Sequence, residues 1–456
     1  MSSFSSLGTA LSALRYNRVA MDTASQNIAN VGIGGYTRRR VEAATAGHQT
    51  VPAMWARNQD AGGGVRITGS TRFADAFLDA RARTEHGRSA YLEVRQSVLD
   101  RLEAGIGEPG DNGLSAVMAE FRQAWADLAN NPSNEAARSQ VLARGAALAD
   151  AVQVQARNFT VEASDQQARL GSMVTEVNTL AADLANTNRA IASANLTGDD
   201  ANSLMDQRDV IALRLAELTG GKAEGNGAGG LDFTVNGVPL VTGTRSSELQ
   251  LASGGGPVTF EVVGGDGVPV AVPPGATGEL AAVADLLDKT IPGYLTGLGE
   301  VARTLAESVN EVHQRGFDAS GGAGGPFFAF DPADPAGTLS VAITTNDQLA
   351  ASAVTGGVVD GGIADELAEL TDSEGEYQAL VNGLGSVVAS GRRLVTNQAM
   401  VTAQVDGSRD QLAGVNLDEE MLAMVQYQRG YEAAARVLTT VDSMLDTLIN
   451  RTGLVR

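Results

Sequence analysis

Few residues in this 456-residue chain stand in patterns that carry chemistry. Gly225-Asn226-Gly227-Ala228-Gly229-Gly230 matches G-x-G-x-x-G, the turn that cradles a dinucleotide pyrophosphate. That chemistry needs a strand before the glycines and a helix after them, so that the phosphate meets a helix N-terminus. Here a helical pattern precedes and a strand pattern follows, which makes the segment a flexible domain linker. Asp331-Pro332-Ala333-Asp334-Pro335 and Asp318-Ala319-Ser320-Gly321 offer carboxylates to a cation, but neither has the ligand spacing or terminal acid of a calcium loop. His48, His86 and His313 share no short ligand spacing, and cysteine is absent. Glu419 and Glu420 sit where a helix begins, and the helix dipole accounts for them. Arg38-Arg39-Arg40 is a run of three bases, expected to meet an acidic neighbouring subunit. No catalytic, metal or cofactor site is expected.

Composition narrows the field. The net charge of −21 repels phosphate backbones, so nucleic acid is not an expected partner. No stretch approaches the roughly 20 apolar residues that cross a bilayer, and no membrane partner is expected. The first residues lack the basic and apolar blocks of a secretory signal. Apolar residues make up 43% but aromatics only 4%, as in cores of Ala, Val and Leu between long helices.

The elements that position these residues are therefore mainly helical. At the N-terminus, Leu7, Leu14, Met21 and Ile28 recur at seven-residue spacing, interleaved with Phe4, Leu11, Arg18 and Ser25. At the C-terminus, Asn416 starts a helix whose seam runs Leu417, Met421, Met424, Gln428, Tyr431, Ala435, Leu438, Asp442, Leu445 and Ile449, with a stop at Arg451 and Gly453. Neither stripe can be buried by its own helix. Residues 1–50 carry net +3 and residues 416–456 net −2, so the two ends are expected to pair as an antiparallel coiled-coil. Polar residues in both seams suit helices that also pack against further copies.

Between the ends lie rods with the same period: Tyr91 to Leu102; Leu114 to Leu128; a long helix from Ser133 to a turn at Gly198; Leu204 to Leu218; Ile291, Leu298, Leu305 and Val312; and Leu380, Val387 and Leu394 before Val401 and Val405. From residue 222 the pattern turns to short alternating strands, with Asn236-Gly237 as a hairpin turn. The expected fold is a mainly α, long rod-like bundle with a small β-rich insertion. Its parts are residues 1–50 with 415–456 as the terminal coiled-coil, 75–221 with 278–414 as the helical rod, and 222–277, extended by a β-like piece at 316–362, as an outer domain.

The sequence resembles a known family. Asn27-Ile28-Ala29-Asn30-Val31-Gly32-Ile33-Gly34-Gly35-Tyr36-Thr37-Arg38 is similar to the N-terminal signature of the bacterial flagellar rod, hook and hook-associated proteins. Val415 to Met421, Gln426 to Val437 and Met444 to Asn450 resemble the C-terminal signature. Phe121 to Leu142 and Asn310 to Phe328 resemble the hook-associated members more than the rod and hook proteins.

The resemblance implies a structural subunit that leaves the cell unfolded through the flagellar type III export apparatus and assembles outside it, at the junction between hook and filament. Implied partners are copies of the chain in a ring, the hook protein, a second hook-associated junction protein, and an export chaperone on the C-terminal helix. The residues expected at the assembly interface are Leu7, Leu11, Leu14, Met21, Asn27, Ile28, Asn30, Tyr36, Arg38, Leu417, Met421, Met424, Gln428, Tyr431, Leu438, Leu445 and Ile449. A hook or distal rod subunit, and an enzyme displayed in the β insertion, are the alternatives.

Overall fold

The computed structural model describes residues 3–46, 63–110, 113–252, 254, 256–355 and 360–447; His48, Ile449 and the stop at Arg451 and Gly453 lie outside them. Eleven helices of four residues or more occur among the described residues: α1 (Ser3–Ala29), α2 (Ala76–Ile106), α3 (Leu114–Asn130), α4 (Glu135–Thr197), α5 (Asn202–Thr219), α6 (Glu279–Asp285), α7 (Ile291–Arg315), α8 (Pro335–Thr338), α9 (Gly362–Ala368), α10 (Asp372–Ala413) and α11 (Leu417–Asp446). One π-helical turn, Leu286–Thr290, joins α6 to α7.

Caps set the ends of the long rods. The Asn134 side chain accepts the amide of Ala136 to open α4, and Gly198 in the left-handed conformation closes it. At 63 residues α4 spans about 95 Å at 1.5 Å per residue. It runs through both hydrophobic clusters of the body. The larger joins α2, α3, α4, α7, α9 and α10 around Trp125, Phe159, Phe327, Phe328 and Tyr377, all with almost no exposure. Phe159 stacks on Tyr294 at 4.0 Å, and Gln155 Nε2 donates to the hydroxyls of Tyr294 (3.0 Å) and Tyr377 (3.1 Å) across the core. The seven-residue series Ile291, Leu298, Leu305 and Val312 is buried here as expected.

The second cluster packs α2, α4, α5 and α6 against the insertion. Strands β3 (Lys222–Gly225), β4 (Leu231–Val235), β5 (Val238–Thr242) and β6 (Arg245–Ser246) form one antiparallel sheet, and β7 (Glu248–Leu251), β8 (Phe260–Val263) and β9 (Pro269–Val272) another. Asn236 and Gly237, both at positive φ, turn β4 into β5. The glycine segment 225–230 is a tight loop between β3 and β4, not a flexible linker. The Asn226 side chain accepts the amides of Ala228 and Gly230, and its backbone amide donates to the Gly230 carbonyl, which closes the loop on itself.

Three further points differ from the sequence reading. Residues 316–362 do not extend the outer β domain. Among the described residues their strands are the two-residue pair β10 (Phe328–Ala329) and β11 (Ser340–Val341); beside α8 and a short 3-10 turn at Asn346–Gln348 they wrap the body, sending Phe327, Phe328, Leu339 and Leu349 into the larger cluster. Adjacent apolar residues without alternation are core anchors, and their β-like composition misleads. A second hairpin, β1 (Arg39–Thr45) against β2 (Val65–Arg72), follows α1 and was not legible in the pattern. Third, α10 turns Tyr377, Leu384 and Val388 inward and leaves Val387 and Leu394 exposed, because its core-facing stripe is set by the match to α2 and α7.

Candidate assembly interface

Helix α1 contains no proline and no interior break until Asn30, after which Gly32 and Gly35 at positive φ turn the chain back. Gly35 sits at φ +85°, and a side chain there would also meet the Val210 side chain of α5 at 2.3 Å, so glycine is favoured where the turn lies against the body. Helix α11 opens on Asn416, whose side chain accepts the amides of Asp418 and Glu419. The two helices lie antiparallel side by side: Asn27 meets Glu420, Ser25 lies 3.8 Å from the Met424 sulfur, and Asn17 abuts Gly430.

The line of contact differs from the expected seams. On α1 the buried positions are Ala10, Ala20, Ala24 and Asn27; on α11 they are Glu420, Ala434 and Val441. Small residues let the backbones approach closely, while Tyr16 and Tyr427 meet edge to face with centroids 6.1 Å apart. Leu7, Leu14, Met21, Ile28, Met424, Leu438 and Leu445 flank this line half-buried. Leu11, Leu417, Met421, Gln428 and Tyr431 are exposed, Met421 by 50%. Leu422, Val425 and Val437 add to the apolar surface of α11. The pair is thus closed on alanine, and its larger apolar edges face outward.

One end of the pair is fastened by polar groups. Asn27, buried with 1% exposure, uses its whole amide: Nδ2 donates to the Arg39 carbonyl (2.9 Å) and Glu420 Oε2 (3.0 Å), and Oδ1 accepts from the Tyr36 hydroxyl (2.8 Å) and the Arg39 amide (3.1 Å). Arg38 Nε donates to Glu420 Oε1 at 2.7 Å and its Nη1 to Glu419 Oε2 at 2.9 Å. Its backbone amide donates to the Ala413 carbonyl at 2.9 Å, where α10 hands over to α11. Burial raises the Tyr36 hydroxyl above its ordinary pKa, which keeps it a neutral donor. Asn30 stays local, donating to the Gln26 carbonyl.

A second set of charges ties the hairpin to the body. Arg39 pairs with Asp206 (2.8 Å), Arg72 with Asp206 (2.9 Å) and Asp209 (2.7 Å), and Arg208 with Asp209 (2.6 Å), all with side chains at most 13% exposed. Arg38 and Arg39 therefore find their acids within the same chain, contrary to the expectation of a neighbouring subunit; their partners lie more than 160 residues away, beyond any local pattern. The other chemistry-bearing residues are structural. His313 is buried, donates from Nδ1 to the Gly325 carbonyl (2.7 Å) and accepts at Nε2 from the Ala350 amide (2.9 Å); burial lowers its pKa and keeps it neutral. His86 bridges Glu217 of α5 (3.4 Å) and Asp406 of α10 (3.0 Å). Among the described residues no group of side chains is arranged to hold a metal ion, and no helix is long and apolar enough to cross a membrane.

The profile of the flagellar hook-associated protein FlgK helical domain matches residues 99–328, and that of the flagellar basal body rod FlgEFG protein C-terminal region matches residues 411–451. Flagellar hook-associated protein 1 of Bacillus subtilis is 30% identical, with 99% of each chain covered. The same-named protein of Escherichia coli is 24% identical over 97% of this chain and 99% of its own. In fold, the chain is similar to the flagellar hook junction protein FlgK from Burkholderia pseudomallei, with a TM-score of 0.65, 15% identity, and coverage of 73% of this chain and 100% of that one. With terminal signatures, helical body and full-length relatives in agreement, the chain belongs to the flagellar hook-associated protein 1 family.

Proposed function

We propose that the chain is a structural subunit of the bacterial flagellum, and that copies of it form the junction between hook and filament through their terminal helices. The observation that carries this reading is the terminal pair, which closes on alanines and a buried amide while Leu417, Met421 and Tyr431 stay exposed. Such an edge buries itself only against other helices, and head-to-tail repetition of one contact builds a tube. Assembly outside the cell after type III export accords with the family and with a chain that has no cysteine to cross-link during passage. A chaperone holding the apolar stripe of α11 before export has the same physical basis.

The test is complementation. In a Bacillus subtilis strain lacking its own hook-associated protein 1, the full chain should restore filament attachment, and a chain lacking 417–456 should not. Filaments attached in cells carrying only the shortened chain would contradict the reading. A hook or distal rod subunit would instead appear in electron micrographs as a long tube of many copies.

A further inference from the structure

Arg83 of α2 and Arg138 of α4 are both buried, 7% and 4% exposed, yet only Arg138 is answered. It donates to the carbonyls of Pro132 (3.0 Å), Asn346 (3.3 Å) and Leu349 (2.9 Å). Arg83 forms no ion pair and no hydrogen bond among the described residues, and its Nε is enclosed without an acceptor. A guanidinium stays charged, and a buried charge is stable only when opposite charge and acceptors meet it. The Arg83 terminal nitrogens keep contact with solvent, so a partner can reach them from outside.

The acids nearby are already spent. Burial holds the Arg83 pKa below the usual guanidinium value; Asp209 and Asp79 oppose this, and Arg208 and Arg409 add to it. Asp79 takes Arg409 (2.8 Å), and Asp209 takes Arg72 (2.7 Å) and Arg208 (2.6 Å). Further along α2, Glu85 takes Arg88 and Gln398, while His86 holds Glu217 of α5 and Asp406 of α10, which also shows that the three helices meet here. The network around Arg83 thus sets Arg39, Arg72, Arg83, Arg208 and Arg409 against Asp79, Asp206 and Asp209. It carries two positive charges in excess, in a chain whose net charge is −21. Arg409 spends Nε on Asp79 and stays 33% exposed, which leaves its terminal nitrogens for a second contact.

We infer that Arg83, with Arg409 beside it, forms an anion site where α2, α5 and α10 meet, and that the site takes a small oxyanion of the phosphate or sulfate class. Planar guanidinium forks match the paired oxygens of such an ion, and the excess of two charges matches its valence. The slight exposure of Arg83 admits an ion and not a bulky ligand. Asp206 and Asp209 of the same network hold the β1–β2 hairpin to α5, so an ion bound here firms the joint between the terminal pair and the body. The inference stands apart from the junction reading.

The purified full chain is titrated with sodium phosphate, sulfate and chloride at constant ionic strength. Binding is read from the phosphorus NMR line of phosphate and from thermal melting. The unsubstituted chain should broaden the phosphate line saturably, with one ion bound per chain, and sulfate should compete. Arg83→Met should weaken phosphate binding about tenfold or more, the loss expected for hydrogen bonds between charged groups. The gain in melting temperature from chloride to phosphate should shrink in Arg83→Met and persist in Arg157→Met, a change at an exposed arginine of α4 that reports the general effect of salt. Arg409→Gln releases Asp79 to pair with Arg83, and should lose phosphate binding while the fold is kept; it carries the test should Arg83→Met fail to fold. Absence of saturable broadening, or equal broadening by the parent and by either variant, would overturn the inference. An Arg83→Met chain that melts above the parent in phosphate would overturn it too, since removal of an unanswered buried charge stabilises.

Discussion

The helical body and the terminal pair solve the same packing problem in opposite ways. The body surrounds Trp125, Phe159, Phe327 and Tyr377 completely, and its long helices share those side chains with loops that wrap back over them. Among the described residues the terminal pair fully buries alanines, a valine and two polar residues, while its leucines and methionines are half-buried or exposed. The contrast separates a unit whose large apolar side chains are enclosed from one whose large apolar side chains stay at or near the surface. In the body, apolar area drives folding; in the pair, one buried polar knot sets register while the apolar area is held in reserve.

The contrast breaks most visibly in the body. Phe159→Ala removes a fully buried ring stacked on Tyr294 and should cost about 3–5 kcal/mol, since large-to-small changes add a cavity to the lost transfer energy. Thermal melting of the purified chain checks this, and the main transition should fall by many degrees. At the polar knot, Glu420→Ala strips Arg38 and Asn27 of their shared partner. Removing one member of a buried charged pair costs about 3 kcal/mol, here confined to the pair. Amides of α1 should exchange with solvent markedly faster while those of α4 remain protected; equal loosening of both would merge the two regions into one cooperative unit.

A smaller effect is tied to pH. The His86 pKa is raised, first by its hydrogen bond to Glu217 and then by Asp406, against the opposing effect of burial; Arg214 also binds Glu217 and faces the same cluster. A group whose folded pKa lies above its unfolded value stabilises fully below the unfolded value, about 6.5 for histidine, and that contribution fades as pH rises through the folded value. His86→Gln should therefore lower the melting temperature more at pH 5.5 than at pH 8.5. An equal loss at both would mean that the bridge acts through packing alone.

Much of this architecture was legible because long helices repeat their pattern many times. The period of α7, the caps of α4 and α11 and the Asn236-Gly237 turn each follow from a few adjacent residues. The polar knot was half legible. Asn27, Tyr36 and Arg38 stand in one short signature, but Glu420 reads locally as a helix-start acid, and only the fold brings it to Asn27. The Arg39, Arg72, Asp206 and Asp209 network was not legible, since each arginine lies 130 or more residues from the acid it pairs with and each residue resembles an ordinary surface charge. The seam of the terminal pair shifted onto alanine for a related reason. Periodicity finds the greasiest stripe of a helix, whereas the observed contact follows the small residues Ala10, Ala20, Ala24 and Ala434 that let the backbones approach.

The direct test of the central claim is a charge on the outward stripe. Met421→Asp changes an exposed residue of α11 and touches none of the contacts that close the pair. The melting temperature and the amide exchange of α1 in the purified monomer should be unchanged, while filament attachment in complemented cells is lost. Attachment at the unsubstituted level, or a monomer whose terminal pair comes apart, would contradict the account.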